Sequence, residues 1–415
     1  MQYEAAKSFL TDLFRVAYQA ADPMLRVAPY LPPLPKGKLI VIGAGKASAR
    51  MAEAVEAHYG PCAGCVVTRY GYERPTQGIE ILSAAHPVPD QAGVLATQRI
   101  FQSVQNLSPD DAVIALISGG GSALLCAPVP GVSLDDKMAL TQQLLDSGAA
   151  IDEINTVRKT LSLVKGGKLA QACAPARVVN LLISDVAGDD PEFIASGPTV
   201  PSHITAAQAM DIVTRWGIAL SDPVAQAVSQ YRAPDLGKSR IETHIIASPM
   251  ASLRAAAAQA TSCDVRILGD AIEGEARDLA RDHAAQAQAI QAQRPKRPVL
   301  LLSGGECTVT RCGDGSGGPN AEYTLAAALA LNGRTGIHVL ACDTDGVDGA
   351  AEVAGAYAGP DTLTRAQQKN IFPEQALARN DAHGFFAALG DQIITGPTLT
   401  NVNDFRAILI EGMAE

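Results

Sequence analysis

Ser118-Gly119-Gly120-Gly121-Ser122 follows the apolar run Ala112–Ile117, and three successive glycines with two hydroxyls suit contact with an anion. Glycines at the carboxyl end of a buried strand let backbone N–H groups approach a ligand where side chains would stand in the way. Ser303-Gly304-Gly305-Glu306 repeats the arrangement after Val299-Leu300-Leu301-Leu302. Gly43-Ala44-Gly45 follows Leu39-Ile40-Val41-Ile42 and adds Lys46 where a helix should begin. Helix N-terminal amides and an ammonium together favour negative charge. The chemistry implied is the handling of phosphate.

Standard nucleotide fingerprints are absent. A Walker A loop needs glycine where Ile40 stands, and a dinucleotide turn needs a third glycine where Ser48 stands. Gly-x-Ser-x-Gly does not surround Ser122, which removes the usual serine-hydrolase elbow. Carboxylates gather after two further apolar runs, in Ser184-Asp185-Val186-Ala187-Gly188-Asp189-Asp190 and in Cys342-Asp343-Thr344-Asp345-Gly346-Val347-Asp348-Gly349. Such oxygens suit Mg²⁺ carried by a nucleotide, and one of them could take a proton from a hydroxyl. The second loop is no EF-hand, because Ala354 occupies the place of the closing glutamate. Residues 155–168 hold Arg158, Lys159, Lys165 and Lys168, the densest basic stretch of the chain. Helical spacing would put Arg158, Ser162 and Lys165 on one face, able to hold a carboxylate or a phosphoryl group.

Strands must alternate with helices to place these turns on one edge. Helices are expected over 47–58, 91–104, 134–145, 154–173, 251–260, 274–291 and 322–331, with strands between them and a strand-loop-helix closing the chain after Gln392. That alternation predicts a parallel, doubly wound sheet, restarting near residue 245. Length alone suggests two domains, since 415 residues exceed a single ordinary core. The formal charge of −10 argues against nucleic acid and anionic membranes as partners. No stretch reaches the roughly twenty apolar residues of a membrane span. Glu4, Lys7, Asp12 and Arg15 mark an amphipathic N-terminal helix and no signal peptide. The eight cysteines include one Cys-x-x-Cys, Cys62 and Cys65, leading into a strand, so ordinary reduced thiols and a cytoplasmic location are expected.

The segments taken together resemble the glycerate 2-kinases that carry a MOFRL domain. The likeness runs through Gly43–Ala47, His86-Pro87-Val88-Pro89-Asp90, Ser118–Ser122, Asn155–Gly167, Ser184-Asp185-Val186, Gly188-Asp189 and Ser196-Gly197-Pro198-Thr199. It continues through Ser303–Glu306, Gly317-Gly318, Thr344-Asp345-Gly346, Asp348-Gly349, Gly396-Pro397-Thr398 and Thr400-Asn401-Val402-Asn403-Asp404. The resemblance implies an α/β chain with an N-terminal Rossmann-like parallel sheet flanked by helices (1–240) and a C-terminal MOFRL α/β domain (241–415). The active site is expected in the cleft between the domains. The implied reaction is ATP-dependent phosphorylation of the 2-hydroxyl of D-glycerate to 2-phosphoglycerate, with Mg²⁺ as cofactor.

By the same resemblance Lys46 would stabilise the transferring phosphoryl group and Asp189 would face the hydroxyl or the metal. Gly43, Gly45, Ser118, Gly119, Gly120, Gly121, Ser122, Ser303, Gly304 and Gly305 would border the phosphates. Arg158, Lys159, Lys165 and Asn320 are the substrate candidates; Asp189, Glu306 and Asp343 are the metal candidates. D-glycerate and ATP are the expected partners, and a homodimer the ordinary assembly for a soluble enzyme. One departure stands out: members often read Gly-Gly-Arg-Asn-Gln-Glu, where the arginine has been assigned a catalytic part, and Pro319 takes its place here. Two rival readings are an NAD(P)H-dependent hydroxypyruvate reductase and a non-catalytic binding protein for a phosphorylated acid.

Overall fold

The computed structural model describes residues 2–237 and 239–412. They form two compact units, one of residues 23–184 and 189–246, the other running up to Asp22, through 185–188, and on from Ala247. The first helix therefore goes with the C-terminal unit, although in sequence it heads the 1–240 segment.

In the first unit, strands β1 (Leu39–Ala44), β2 (Ala63–Arg69), β3 (Ile79–Ala84), β4 (Ala112–Ile117), β5 (Arg177–Ile183) and β6 (Ile241–Ala247) form a parallel sheet. Their order is β3-β2-β1-β4-β5-β6, with β1 hydrogen-bonded to both β2 and β4. Succession turns outward in opposite directions from that pair, which makes the β1/β4 edge a topological switch point, where open α/β sheets bind ligands. β1 and β4 end level, Ala44 opposite Ile117, so the Gly43–Lys46 and Ser118–Ser122 turns leave the sheet side by side. Every residue of β4 is buried, as befits a strand covered on both faces. A helical layer beside the sheet buries Leu140, Leu144, Ile154, Val157, Ile212 and Val213 against one another.

In the second unit, β7 (Asp264–Gly269), β8 (Gly274–Glu275), β9 (Val299–Ser303), β10 (Cys307–Thr308), β11 (Ile337–Asp343), β12 (Gly355–Ala358), β13 (Gln392–Ile393) and β14 (Asp404–Ile410) make two sheets. β8 pairs with β10; the larger sheet runs β13-β12-β11-β14-β9-β7. It is mixed, because β14 lies antiparallel to both β11 and β9. The two-residue period of strands sorts the core: Leu300, Leu302, Leu340 and Phe405 meet the helix Tyr3–Gln19 through Leu10, Leu13 and Phe14. Leu301, Val339 and Ile408 face the opposite way, onto Ala280, Ala284, Tyr323 and Ala327 of the helices Ala276–Ala292 and Pro319–Leu331.

Two sequence expectations change. Residues 154–173 are not one helix: helix Ile151–Thr160 stops, and a new helix begins only at Lys168. The first helix gives way at Leu161, Ser162 bridges to Pro128, and the left-handed backbone of Gly166 (φ 62°) and Gly167 (φ 85°) holds the chain out of helix until Lys168. Residues 404–410 form strand β14 and not the expected helix, fully buried between β11 and β9.

Candidate active site

At the switch point the two glycine turns bind each other. Lys46 N–H donates to Gly119 O (2.9 Å), Ala47 N–H to Ser118 Oγ (3.0 Å), and Ser48 N–H to Gly45 O (3.2 Å). The amides at the start of helix Ser48–Tyr59 are thus engaged within the protein, so their role is to fix the Lys46 backbone against the Ser118 turn. Gly45 permits this: a Cβ there would lie 2.1 Å from Ser118 Oγ. Gly43 does the same one step earlier, where a Cβ would come within 2.4 Å of Leu116 O.

Gly120 (φ +80°) packs between two side chains, His86 and Lys46, whose nearest atoms would stand 3.0 and 3.2 Å from a Cβ built on it. Gly120→Ala adds both a left-handed strain of about 1–2 kcal/mol and a group wedged between these residues. A fall of at least tenfold in kcat, with a thermal midpoint lowered only modestly, is expected from steady-state kinetics and calorimetry. Unchanged kcat would show that the lysine tolerates displacement.

Beyond Gly121 a chain of hydrogen bonds leads to the basic segment. Ser122 Oγ lies 2.7 Å from Ser196 Oγ, which bonds Asn155 Oδ1 (3.3 Å), and Arg158 Nη1 donates to the same oxygen (3.4 Å). Lys165 Nζ donates to Ser122 O (2.6 Å) and Lys137 Nζ lies 3.7 Å from Cys126 Sγ. Ser122, Cys126, Lys137 and Arg158 line a cavity of about 500 Å³ together with Pro87, the neighbour of His86.

Among the described residues Lys137, Arg158 and Lys165 form no ion pair with a carboxylate. Burial, opposed in part by Cys126 and reinforced by Arg158, lowers the Lys137 ammonium from its ordinary 10.5. Burial lowers Arg158 as well. Burial, then Arg158 and Lys137, press Lys165 well below 10.5. A buried cation without a counter-charge is unfavourable unless an anion arrives. Here the arrangement can receive a carboxylate or a phosphoryl group.

The remaining candidates divide between the units. Lys159, 2% exposed, is engaged by Glu192 (2.8 Å), so its charge is already answered. Asp189, just after Gly188, has a left-handed backbone (φ 56°), and its Oδ1 is buried without a hydrogen-bond partner. Ser303, Gly304, Gly305, Glu306, Asp343 and Asn320 all belong to the second unit. There Gly304 N–H donates to Gly269 O (2.8 Å), Gly304 O accepts from Ile272 N–H (3.3 Å) and Arg406, and a Cβ on Gly305 would strike Ile272 at 2.3 Å. That glycine pair fits a neighbouring loop of its own unit. Asp343 Oδ1 accepts from Asp345 N–H (2.9 Å) in a tight turn. Among the described residues no three His, Cys, Asp or Glu side chains gather as ion ligands.

Asn320 is buried, its Nδ2 donating to Asp404 Oδ1 (2.7 Å) and Asp348 Oδ1 (3.3 Å). Asp348 also accepts from the N–H groups of Asn320 (2.9 Å) and Ala321 (2.8 Å), capping helix Pro319–Leu331 from a distant loop. Pro319 takes the first helical position, where no N–H is needed and its φ is already suitable. Burial, with Asp348 adding and Arg406 opposing, holds the Asp404 carboxyl above its ordinary range. Asp348→Ala strands two buried helix donors and should cost about 2–4 kcal/mol, seen as a thermal midpoint lower by roughly 5 °C or more; an unchanged midpoint would deny it the capping role.

Sequence reasoning passed over Lys137, Cys126 and Glu192. The signal for Lys137 was present: it lies three residues before Leu140 and seven before Leu144, on the buried face of helix Leu134–Ser147. A lysine at a core position of an amphipathic helix calls for a buried anion or a buried partner.

Residues 9–230 match the family model described as a domain of unknown function, DUF4147, and residues 299–404 match the MOFRL family. The chain belongs to the family that joins these two domains. Among its relatives, a D-glycerate 2-kinase of Thermotoga maritima is 38% identical over 98% of this chain and 99% of its own length. The crystal structure of a glycerate kinase from Thermotoga maritima superposes with a TM-score of 0.88 at 38% identity, covering 98% of this chain and all of the other. A protein of Agrobacterium vitis with the provisional name hydroxypyruvate reductase is 48% identical over 98% of this chain and 95% of its own.

Proposed function

We propose that this protein transfers the γ-phosphoryl group of ATP to the 2-hydroxyl of D-glycerate. The hydroxyl oxygen bonds to the γ-phosphorus, the bond to the β–γ bridging oxygen breaks, and 2-phosphoglycerate, ADP and a proton leave. The observation that carries the reading is the buried cluster of Lys137, Arg158 and Lys165, of which Lys137 and Arg158 line a cavity with Ser122 while Lys165 Nζ donates to Ser122 O. In this reading Arg158 and Lys137 hold the substrate carboxylate, with Lys165 contributing charge from behind Ser122. Lys46, fixed between the two glycine turns, offers its ammonium to the phosphoryl group as charge builds. Asp189 supplies the oxygen that faces either the hydroxyl proton or the nucleotide's Mg²⁺. That ion neutralises the β- and γ-phosphates, and it takes most ligands from phosphate and water, so a preassembled protein cage is not required. We place the enzyme in the cytoplasm, acting on small molecules as a homodimer; no described helix is long and apolar enough to cross a membrane.

The reductase name of the Agrobacterium relative is the weaker reading. A dinucleotide pyrophosphate needs the amides after β1, and those of Lys46 and Ala47 are engaged by Gly119 O and Ser118 Oγ. Phosphorus NMR decides between them. Protein with ATP, Mg²⁺ and D-glycerate should yield 2-phosphoglycerate. No phosphoester, with NADH consumed in a parallel tube of hydroxypyruvate, would overturn the kinase in favour of the reductase.

A further inference from the structure

The cavity at Arg158 is larger and more apolar than a three-carbon acid requires. Arg158 and Lys137 give its lining positive charge, while Val88, Leu145 and Ile151 give it an apolar part. Those three are 56%, 53% and 63% exposed, so the cavity lining carries large aliphatic side chains that solvent reaches, a feature that marks binding surfaces. About 500 Å³ falls within the range that holds drug-sized ligands. D-glycerate anchored by its carboxylate would present only a hydroxymethyl group to this apolar part and leave it wet. No aromatic ring lines the cavity, so nothing there offers a plane for stacking a nucleotide base.

Resting on the proposed kinase reading, we infer that the acceptor site takes 2-hydroxy monocarboxylates whose C2 substituent is apolar and bulkier than hydroxymethyl. Val88, Leu145 and Ile151 are then specificity-determining residues. The carboxylate meets Arg158 and Lys137, and the alkyl group lies toward the apolar part. Phosphoryl transfer proceeds as for glycerate: the 2-hydroxyl oxygen bonds to the γ-phosphorus, ADP departs with the bridging oxygen, and the hydroxyl proton is released. Each methylene removed from water is worth about fourfold in affinity.

The test compares D-glycerate, D-lactate, D-2-hydroxybutyrate and D-2-hydroxyisocaproate as acceptors and as competitors, with Mg-ATP and the full chain. From lactate upward KM, or Ki where turnover is slow, should fall by about two- to fourfold per methylene. Leu145→Asp and Ile151→Asp replace exposed side chains, and each should reduce the ratio of kcat/KM for hydroxyisocaproate to that for D-glycerate about tenfold. Phosphorylated D-glycerate with no turnover or competition by hydroxyisocaproate overturns the inference and leaves the kinase standing. A raised KM for ATP with an unchanged acid ratio also overturns it, by giving the apolar part to the nucleotide. If D-glycerate is not phosphorylated at all, the kinase reading fails separately. Calorimetric binding of hydroxyisocaproate, lost in Leu145→Asp, would still support the apolar acid site, and its absence would end it.

Discussion

Lys46→Ala should lower kcat about 10²–10³-fold and leave KM for D-glycerate within about threefold, in an enzyme expected to fold as before. The separation follows from what holds the residue. Its backbone N–H is tied to Gly119 O, and the neighbouring Ala47 N–H to Ser118 Oγ. Neither bond involves the side chain, so truncation leaves the two glycine turns joined. The side chain packs against Gly120 beside His86, within the turn at the switch point, and is not among the residues that line the cavity. An ammonium there gains most when the γ-phosphoryl oxygens carry their greatest charge in the transition state. Its loss therefore belongs to kcat. Steady-state kinetics with product quantified by phosphorus NMR separates the cases. A raised KM with undiminished kcat would place Lys46 on the ground-state substrate; a change below tenfold in both would remove it from the reaction.

Much of this position was legible before any coordinates. Apolar runs that stop at glycines located β1, β4 and β9, because a strand buried on both faces reads as an unbroken hydrophobic segment. What the pattern could not convey was partnership. Gly45 reads as an anion-binding glycine, yet its missing side chain makes room for Ser118. Gly304 and Gly305 read likewise and instead admit the loop at Ile272. Close approach of backbone to backbone and close approach of backbone to phosphate demand the same residue, and only the tertiary fold distinguishes them. The basic segment shows the reverse case. Its helix is broken at Thr160, so the common face expected of Arg158, Ser162 and Lys165 does not exist. Arg158 and Lys165 nevertheless converge, through Ser122, Ser196 and the turn at Gly166. Lys137 could be read as a core lysine of its own helix, but its meeting with Arg158 could not, because it comes from another helix.

Arg158→Met should move stability and activity in opposite directions. The guanidinium is buried, bonded to the Asn155 amide oxygen, and in no ion pair with a carboxylate among the described residues. Methionine fills similar space without a charge, and replacing an unanswered buried charge with a packed apolar group relieves its desolvation. Lys165 gains as well, since after burial Arg158 is the strongest influence depressing it. A thermal midpoint a few degrees higher is expected, alongside a loss of about 10²–10³-fold in kcat/KM for D-glycerate. D-glycerate should also protect the wild type against heat and fail to protect the variant. The pH dependence has the same origin. Lys137 and Lys165 titrate lower folded than unfolded, as does Lys168, brought to about 8 by burial and then Lys137. The unfolded chain therefore binds more protons between the folded values and 10.5, so the penalty of these lysines is full at low pH and relieved as pH rises through that window. For Lys168 the window runs from about 8 to 10.5. The same deprotonation removes positive charge from the cavity, so KM for the acid should climb while the wild type becomes more heat-stable. In Arg158→Met both trends should start at higher pH, because Lys165 has lost a like charge. A variant that is less stable than the wild type, or keeps its affinity for the acid, would mean that Arg158 is answered by a charge of the protein and waits for no substrate.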